Sequence, residues 1–140
     1  MGVVAIVVVG IGAIMSFASV AYAHKGTATY YTPPYVREYL SILAVMVASA
    51  CDGYKDDGVM IAAASDAIWD NKAACGRKYK IRCTGATNQG VPHPCTGQSV
   101  VVRIVDYCPS GCSGTIDLSQ EAFSVIADLD AGKVNIKFHQ

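Results

Sequence analysis

The carboxyl-terminal half of the chain is patterned for strands. Lys78-Tyr79-Lys80-Ile81-Arg82-Cys83 alternates long polar and apolar side chains, and Lys133-Val134-Asn135-Ile136-Lys137-Phe138 alternates without a break. That period of two belongs to strands with one buried face. Ser99-Val100-Val101-Val102-Arg103-Ile104-Val105-Asp106 is a β-branched run and predicts a third strand. Gly26-Thr27-Ala28-Thr29-Tyr30-Tyr31-Thr32 predicts a first strand, stopped by Pro33-Pro34, which cannot donate to a sheet ladder. Val59 to Ala64, after Asp57-Gly58, reads as a short strand.

Helical signals are fewer. Ser119 stands as N-cap before Gln120-Glu121-Ala122-Phe123-Ser124-Val125-Ile126-Ala127, where Ala122, Val125 and Ile126 recur at helical spacing. Ser65-Asp66 predicts the cap of a brief helix through Ala67-Ile68-Trp69, with Trp69 anchoring the core. Gly85 to Gly97 contains Asn88, Gly90, Pro92 and Pro94 and reads as a long turn-rich loop, pinned by Cys95 and exposing His93. The sum is mainly β with short helices.

Two stretches fit neither period. Residues 1–23 hold no charged side chain, run apolar from Val3 through Met15, and end in Ala21-Tyr22-Ala23. That is the form of an export signal, cut after Ala23. The alternative is an uncleaved anchor, since the apolar stretch approaches the ~20 residues that span a bilayer. The second stretch runs from Arg37 to Ala48, and its apolar part is too short to cross a membrane.

With the signal removed, residues 24–140 are a length for one domain. All 11 basic and 11 acidic residues lie there, so no net charge or Lys/Arg block marks a nucleic-acid or anionic-membrane surface. A soluble monomer, with no stable membrane insertion after cleavage, is expected. Cys51, Cys75, Cys83, Cys95, Cys108 and Cys112 are an even set in an exported chain and predict three bridges, for which 15 connectivities are open. Zinc held by Cys95, Cys108, Cys112 and His93 is the competing use. The absence of a Cys-x-x-Cys pair argues against both zinc and redox catalysis, so no metal and no cofactor is expected.

Ordered blocks along residues 24–140 resemble the plant natriuretic peptide group of expansin-like proteins, which carry an EG45-like domain. They are Gly26-Thr27-Ala28-Thr29-Tyr30-Tyr31, Cys51 with Gly53-Tyr54, Met60 to Asp66, Ala74-Cys75-Gly76-Arg77, Arg82-Cys83-Thr84-Gly85, Val105-Asp106-Tyr107-Cys108-Pro109 and Ile116 to Phe123. The resemblance implies a disulfide-stapled, six-stranded double-psi β-barrel with an open groove. It also implies the pairs Cys51–Cys75, Cys83–Cys95 and Cys108–Cys112. Against that family, the dozen or so residues from Arg37 to Ala48 are an insertion, read as an unspliced intron, a gene-model error or a genuine loop. If translated, it is an exposed apolar patch and an aggregation liability.

Related barrels include glycoside hydrolases, which need two carboxylates about the scissile bond. By resemblance Asp117 matches the acid of that superfamily, and Asp106 at a strand end is the other groove carboxylate. Those hydrolases place their second aspartate just after the Thr-x-Tyr of the first strand, where this chain has Thr32-Pro33. The expansin pattern has a His two residues before the acid, and here Thr115 stands there. The expectation is therefore not an enzyme, with Asp117 and Asp106 a vestigial pair or Asp117 a brace near the Ser119 helix start. Tyr31, with Thr29, is expected to line a sugar-binding groove; Tyr30, Tyr54 and Tyr107 are weaker candidates, since strand tyrosines more often pack.

The function implied by resemblance is a secreted apoplastic signal affecting water and solute homeostasis through a cell-surface receptor, using the Cys51 to Cys83 region with Asp66 and Arg77. Its rivals are a wall polysaccharide binder or weak hydrolase working through the groove, and a defence protein resembling the barwin branch.

Overall fold

The computed structural model of the chain describes residues 10–12, 22–35 and 48–140. The signal segment and its anchor alternative fall on positions of which 1–9 and 13–21 lie outside the described residues, as do residues 36–47, which hold nearly all of the insertion. Among the described residues no helix is long and apolar enough to cross a membrane.

Six strands form the body: β1 His24–Tyr31, β2 Ile61–Ala64, β3 Lys78–Ala86, β4 Ser99–Tyr107, β5 Ile116–Ser119 and β6 Val134–His139. They close into a barrel in the order β1-β5-β2-β4-β3-β6. β1 runs parallel to β5 and β2 parallel to β4, while the other four pairings are antiparallel. A parallel pair cannot be joined by a tight hairpin. The chain must therefore cross to other strands between β1 and β5 and between β2 and β4, and those two crossings interlock the double-psi barrel.

The alternation that predicts β3 and β6 is the alternation of burial, and the β-branched run of β4 buries alternate residues from Val100 to Ile104. Tyr79, Ile81, Val100, Val102, Ile104, Val134, Ile136 and Phe138 point inward, and the residues between them face out or sit half-exposed. Where strands crowd at the crossings the inward residues shrink to Ala28, Ala62 and Ala64, all without exposure. Helix α2, Gln120–Ile126, plugs the barrel with Phe123 and Ile126, both fully buried, and packs against β1, β4 and β5. Ser119 Oγ accepts from the Ala122 N–H at 3.1 Å, the N-cap bond that the sequence predicts. A 3-10 turn, Leu129–Ala131, leads into β6.

One strand escaped the sequence reading and three expectations need correction. β5 was not legible as a strand, because Ile116-Asp117-Leu118-Ser119 is short and runs straight into a helix. Helix α1, Asp66–Trp69, is a single turn, and Ser65 makes no side-chain cap bond to it; its hydroxyl donates instead to the Thr115 carbonyl at 2.7 Å. Trp69 is half-buried at the edge of the core and stacks on Tyr107 with ring centroids 4.9 Å apart. β1 starts earlier than predicted, at His24, because β6 continues to pair with it there.

The bridges are Cys51–Cys75, Cys83–Cys95 and Cys108–Cys112, separated by 24, 12 and 4 residues. Cys95, Cys108 and Cys112, weighed above as zinc ligands, are thus all in bridges. In the chain-entropy view a bridge stabilises more when it closes a longer loop. Replacing Cys51 and Cys75 by serine is expected to cost about 3.5 kcal/mol in urea unfolding, against about 2 kcal/mol for Cys108 and Cys112; a reversed order would show that the local staple does more than restrict the unfolded chain.

Candidate functional site

Sheet register builds the site before any side chain is considered. On β1 Thr29 lies opposite Asp117 of β5, Asp117 lies opposite Ala63 of β2, and Ala63 lies opposite Asp106 of β4. A bulge between Ala62 and Ala63 shifts the β2–β4 register and brings Asp106 into this row. The two carboxylates therefore sit two strands apart, roughly 10 Å between backbones, with a small residue between them. Any side chain larger than Ala63 at that place would fill the floor.

The row opens into a groove of about 210 Å³ lined by Tyr31, Ala63, Asp106, Tyr107, Cys108, Pro109 and Asp117. Thr29 Oγ1 donates to Asp117 Oδ1 at 2.9 Å. Asp117 is thus tied across the sheet to β1, and the brace predicted for it at the Ser119 helix start is not what it forms. Burial pushes the Asp117 carboxyl above the usual aspartate range and the charge of Asp106 adds to this, while the Thr29 hydroxyl pulls the other way. Asp106 Oδ1 accepts two backbone N–H bonds at 2.8 Å, from Ala50 and from Tyr107. One of its oxygens is therefore committed to holding the turn at residues 49–53 against β4.

Tyr31 faces both carboxylates. Burial, then Asp106 and Asp117, raise its phenol well above the ordinary value, so it stays a neutral hydroxyl donor with a flat apolar face. Tyr35 meets it edge-on, with centroids 5.2 Å apart and planes at 85°. The Tyr35 hydroxyl accepts from the Gln120 N–H at 3.1 Å and donates to Glu121, and burial and that bond push its phenol up to about 12. Tyr107 donates to Asp66 and carries Trp69 on its ring. Tyr30 turns the other way and packs on Phe123, and Tyr54 is exposed away from the groove lining.

The groove thus brings together Thr29, Tyr31, Asp106 and Asp117. Asp66 and Arg77 lie elsewhere, on a separate hollow of about 590 Å³ that also takes in His24, Lys25, Asp70 and Tyr79. Arg77 Nη2 is bonded to Asp70 Oδ2 at 2.8 Å. Thr115, where the expansin pattern has His, does not line the groove: its Oγ1 accepts from the Thr27 N–H at 3.1 Å and its carbonyl from Ser65. Sequence reasoning missed Ala63, Ala50 and Tyr35. Ala63 and Ala50 have no chemistry to betray them, and only the register reveals their part.

With this geometry in view the comparisons are decisive. A family model described as lytic transglycolase matches residues 61–138. An EG45-like domain containing protein of Citrus jambhiri is 62% identical over 128 residues, covering 91% of this chain and 89% of that protein. The chain belongs to the EG45-like family of expansin-like double-psi β-barrels. The putative EG45-like domain containing protein 1 of Arabidopsis thaliana is 48% identical over 120 residues, covering 86% of this chain and 85% of that one. Among solved structures, a mutant Clavibacter michiganensis expansin in complex with cellohexaose is 25% identical with a TM-score of 0.55, covering 84% of this chain and 49% of that one. The Streptomyces papain inhibitor is 27% identical with a TM-score of 0.52, covering 85% of this chain and 96% of that one.

Two measurements test the electrostatics and packing of the groove. The Asp117 carboxyl raised in the folded state makes its ionised form a burden that is full above its folded pKa and gone below its unfolded one. Asp117→Asn is expected to raise the melting temperature at neutral pH, with the gain vanishing as pH falls through the ordinary aspartate range; in carbon NMR titrations Asp106→Asn should lower the Asp117 pKa. A gain that persists at acid pH would assign the effect to packing instead. A Cβ at Gly114 would stand 2.8 Å from Thr29 Oγ1 and 3.2 Å from the Thr29 backbone nitrogen. Gly114→Ala should therefore displace Thr29 from Asp117 and shift that same titration upward, since the hydroxyl that lowers it is withdrawn.

Proposed function

We propose that the protein is a secreted, non-catalytic protein of the plant cell wall whose groove binds wall polysaccharide. The row Thr29–Asp117–Ala63–Asp106 beside Tyr31 carries this reading, because it offers a flat ring face, a neutral phenol donor and two hydrogen-bonding carboxyls over a floor of minimal size. A pyranose has an apolar face and a rim of hydroxyls, the complement of that arrangement. The expansin neighbour bound to cellohexaose supports it.

The same geometry argues against hydrolysis. Glycoside cleavage needs an acid on one side of the bond and a base or nucleophile on the other. Asp117, with its raised pKa, suits the acid. Asp106 is a poor partner, since one of its oxygens is occupied by the Ala50 and Tyr107 N–H groups. Purified protein is expected to bind insoluble wall glucan without releasing reducing ends, and Tyr31→Ala to weaken that binding by ~10-fold, the loss typical of a central aromatic contact. Reducing ends that disappear in Asp117→Ala would make it a hydrolase.

A second reading, signalling in water and solute homeostasis through a cell-surface receptor, draws on Asp66 and Arg77 and is supported by their lining one hollow. Swelling of plant protoplasts on addition of the folded protein, lost in Arg77→Ala, is its test. The defence reading has an observation of its own: the Streptomyces papain inhibitor is a neighbour whose chain is matched over 96% of its length, so a single barrel of this kind suffices for that role there. On that footing the present chain also inhibits papain-type cysteine endopeptidases.

A further inference from the structure

The outward residues of β1, β3 and β6 carry one sign of charge. Register sets Arg82 of β3 opposite Lys137 of β6, and Lys137 opposite Lys25 of β1, so three cations stand in one row. Ser99 of β4 extends that row beyond Arg82. Two residues along each strand a second row follows, made of Val101 of β4, Lys80 of β3 and His139 of β6. In sequence these basic residues are never adjacent, and no block announces them. Lys25, Lys80 and Arg82 are exposed, while Lys137 and His139 are half-exposed. Between the rows Lys80, Arg82, Ser99, Lys137 and His139 line a dip of about 50 Å³, large enough to seat a carboxylate group.

No carboxylate offsets them. Among the described residues the strands hold two, Asp106 and Asp117, and both lie in the groove. The ion pairs among those residues, Lys55–Asp57 and Arg77–Asp70, use no member of either row. Like charges directly opposite each other on neighbouring strands are destabilising. In an open sheet lysines keep an edge from pairing with other chains, but this sheet is closed and each of its strands is paired on both sides. The rows therefore carry a cost without a structural return. In the ring of strands β3 and β6 stand across from β5 and β2, so this face looks away from the groove.

We propose that this face binds a linear acidic polysaccharide with a carboxylate on each sugar, a polyuronate, independently of the groove. Cations on neighbouring strands stand ~4.8 Å apart, a charge density that a polymer ionised at every ring complements. Lys25, Lys80 and Lys137 supply point charges on flexible stems, and Arg82 a planar fork that takes one carboxylate in two bonds. The Ser99 hydroxyl is a partner for ring hydroxyls. Nucleic acid and membrane fit less well, because the rows hold no Phe, Tyr or Trp on which bases could stack, and Val101 is a single exposed apolar side chain, too little to enter a bilayer. With the groove on one side and the cations on the other, one molecule can hold two polymers at once.

The test is calorimetric titration of the purified protein with polygalacturonate, with its fully methyl-esterified form and with phosphatidylserine vesicles. Polygalacturonate should bind, with affinity falling steeply as salt is raised, and the ester, which keeps the backbone and loses the charge, should not. The double variant Arg82→Gln, Lys137→Gln should bind polygalacturonate ~10-fold more weakly, the loss of two exposed ion pairs. Its glucan binding should be unchanged and its melting temperature equal or higher, because like-charge contacts are relieved. Lys137→Arg should retain binding, and Tyr31→Ala should leave it untouched, so that failure of the groove reading and failure of this one are told apart. Absence of polygalacturonate binding, equal binding of the ester, or full binding by the double variant overturns the assignment. Binding of the vesicles in place of polygalacturonate hands the face to membranes and overturns it too.

Discussion

Closure of the sheet through two parallel pairings is the constraint on which everything else in this molecule rests. Were β1 paired only with β6, Thr29 and Asp117 would be 88 residues apart in sequence with nothing to bring them together. The β1–β5 pairing sets them opposite each other, and the β2–β4 pairing with its bulge adds Asp106 to the row. Such long-range parallel contacts are entropically costly to close and are repaid only when the whole barrel forms. The site and the fold are in this sense one cooperative object.

What repays that cost is a compact core and three staples. The inward set is modest in size, with alanine at the crossings and, among the described residues, a single aromatic, Phe123, fully buried as the plug. A domain of this length buries a limited fraction of its surface. The bridges add to it by restricting the unfolded chain, and their placement is instructive. Cys51–Cys75 ties the 49–53 turn that braces Asp106 to the turn after α1, Cys83–Cys95 closes the 87–98 loop, and Cys108–Cys112 shapes the groove wall. Each covalent link stands beside a distinct surface feature.

Those surfaces are distinct. The groove carries an apolar ring, a phenol and carboxyls; the hollow about Arg77 pairs opposite charges; the loop at 87–98 bends back on itself and is closed by its bridge. Three consecutive non-glycine residues after α1, Asp70, Asn71 and Lys72, hold positive φ, a conformation that costs L-residues free energy and that places Asp70 against Arg77. A fold that interlocks its strands leaves the connections free to diverge, and EG45-like proteins, expansins and a papain inhibitor share one barrel on those terms.

The sequence by itself determined the alternating strands β3 and β6, the β-branched strand β4 and the Ser119-capped helix, because strand period, β-branching and capping are local properties written in adjacent residues, and it determined an even cysteine set because parity is a count that needs no structure. The ordered blocks along the chain carried the family as well, and with it the candidates Thr29, Tyr31, Asp106 and Asp117. Only the tertiary structure decided that β5 is a strand at all, since four residues acquire that identity from their neighbours β1 and β2 and not from their own pattern. It alone showed Ala63 as the groove floor, Ser65 turned from its helix to Thr115, and Trp69 at the edge of the core against Tyr107. In each case the deciding contact joins residues tens of positions apart, and register, which no local signal encodes, chooses the partner.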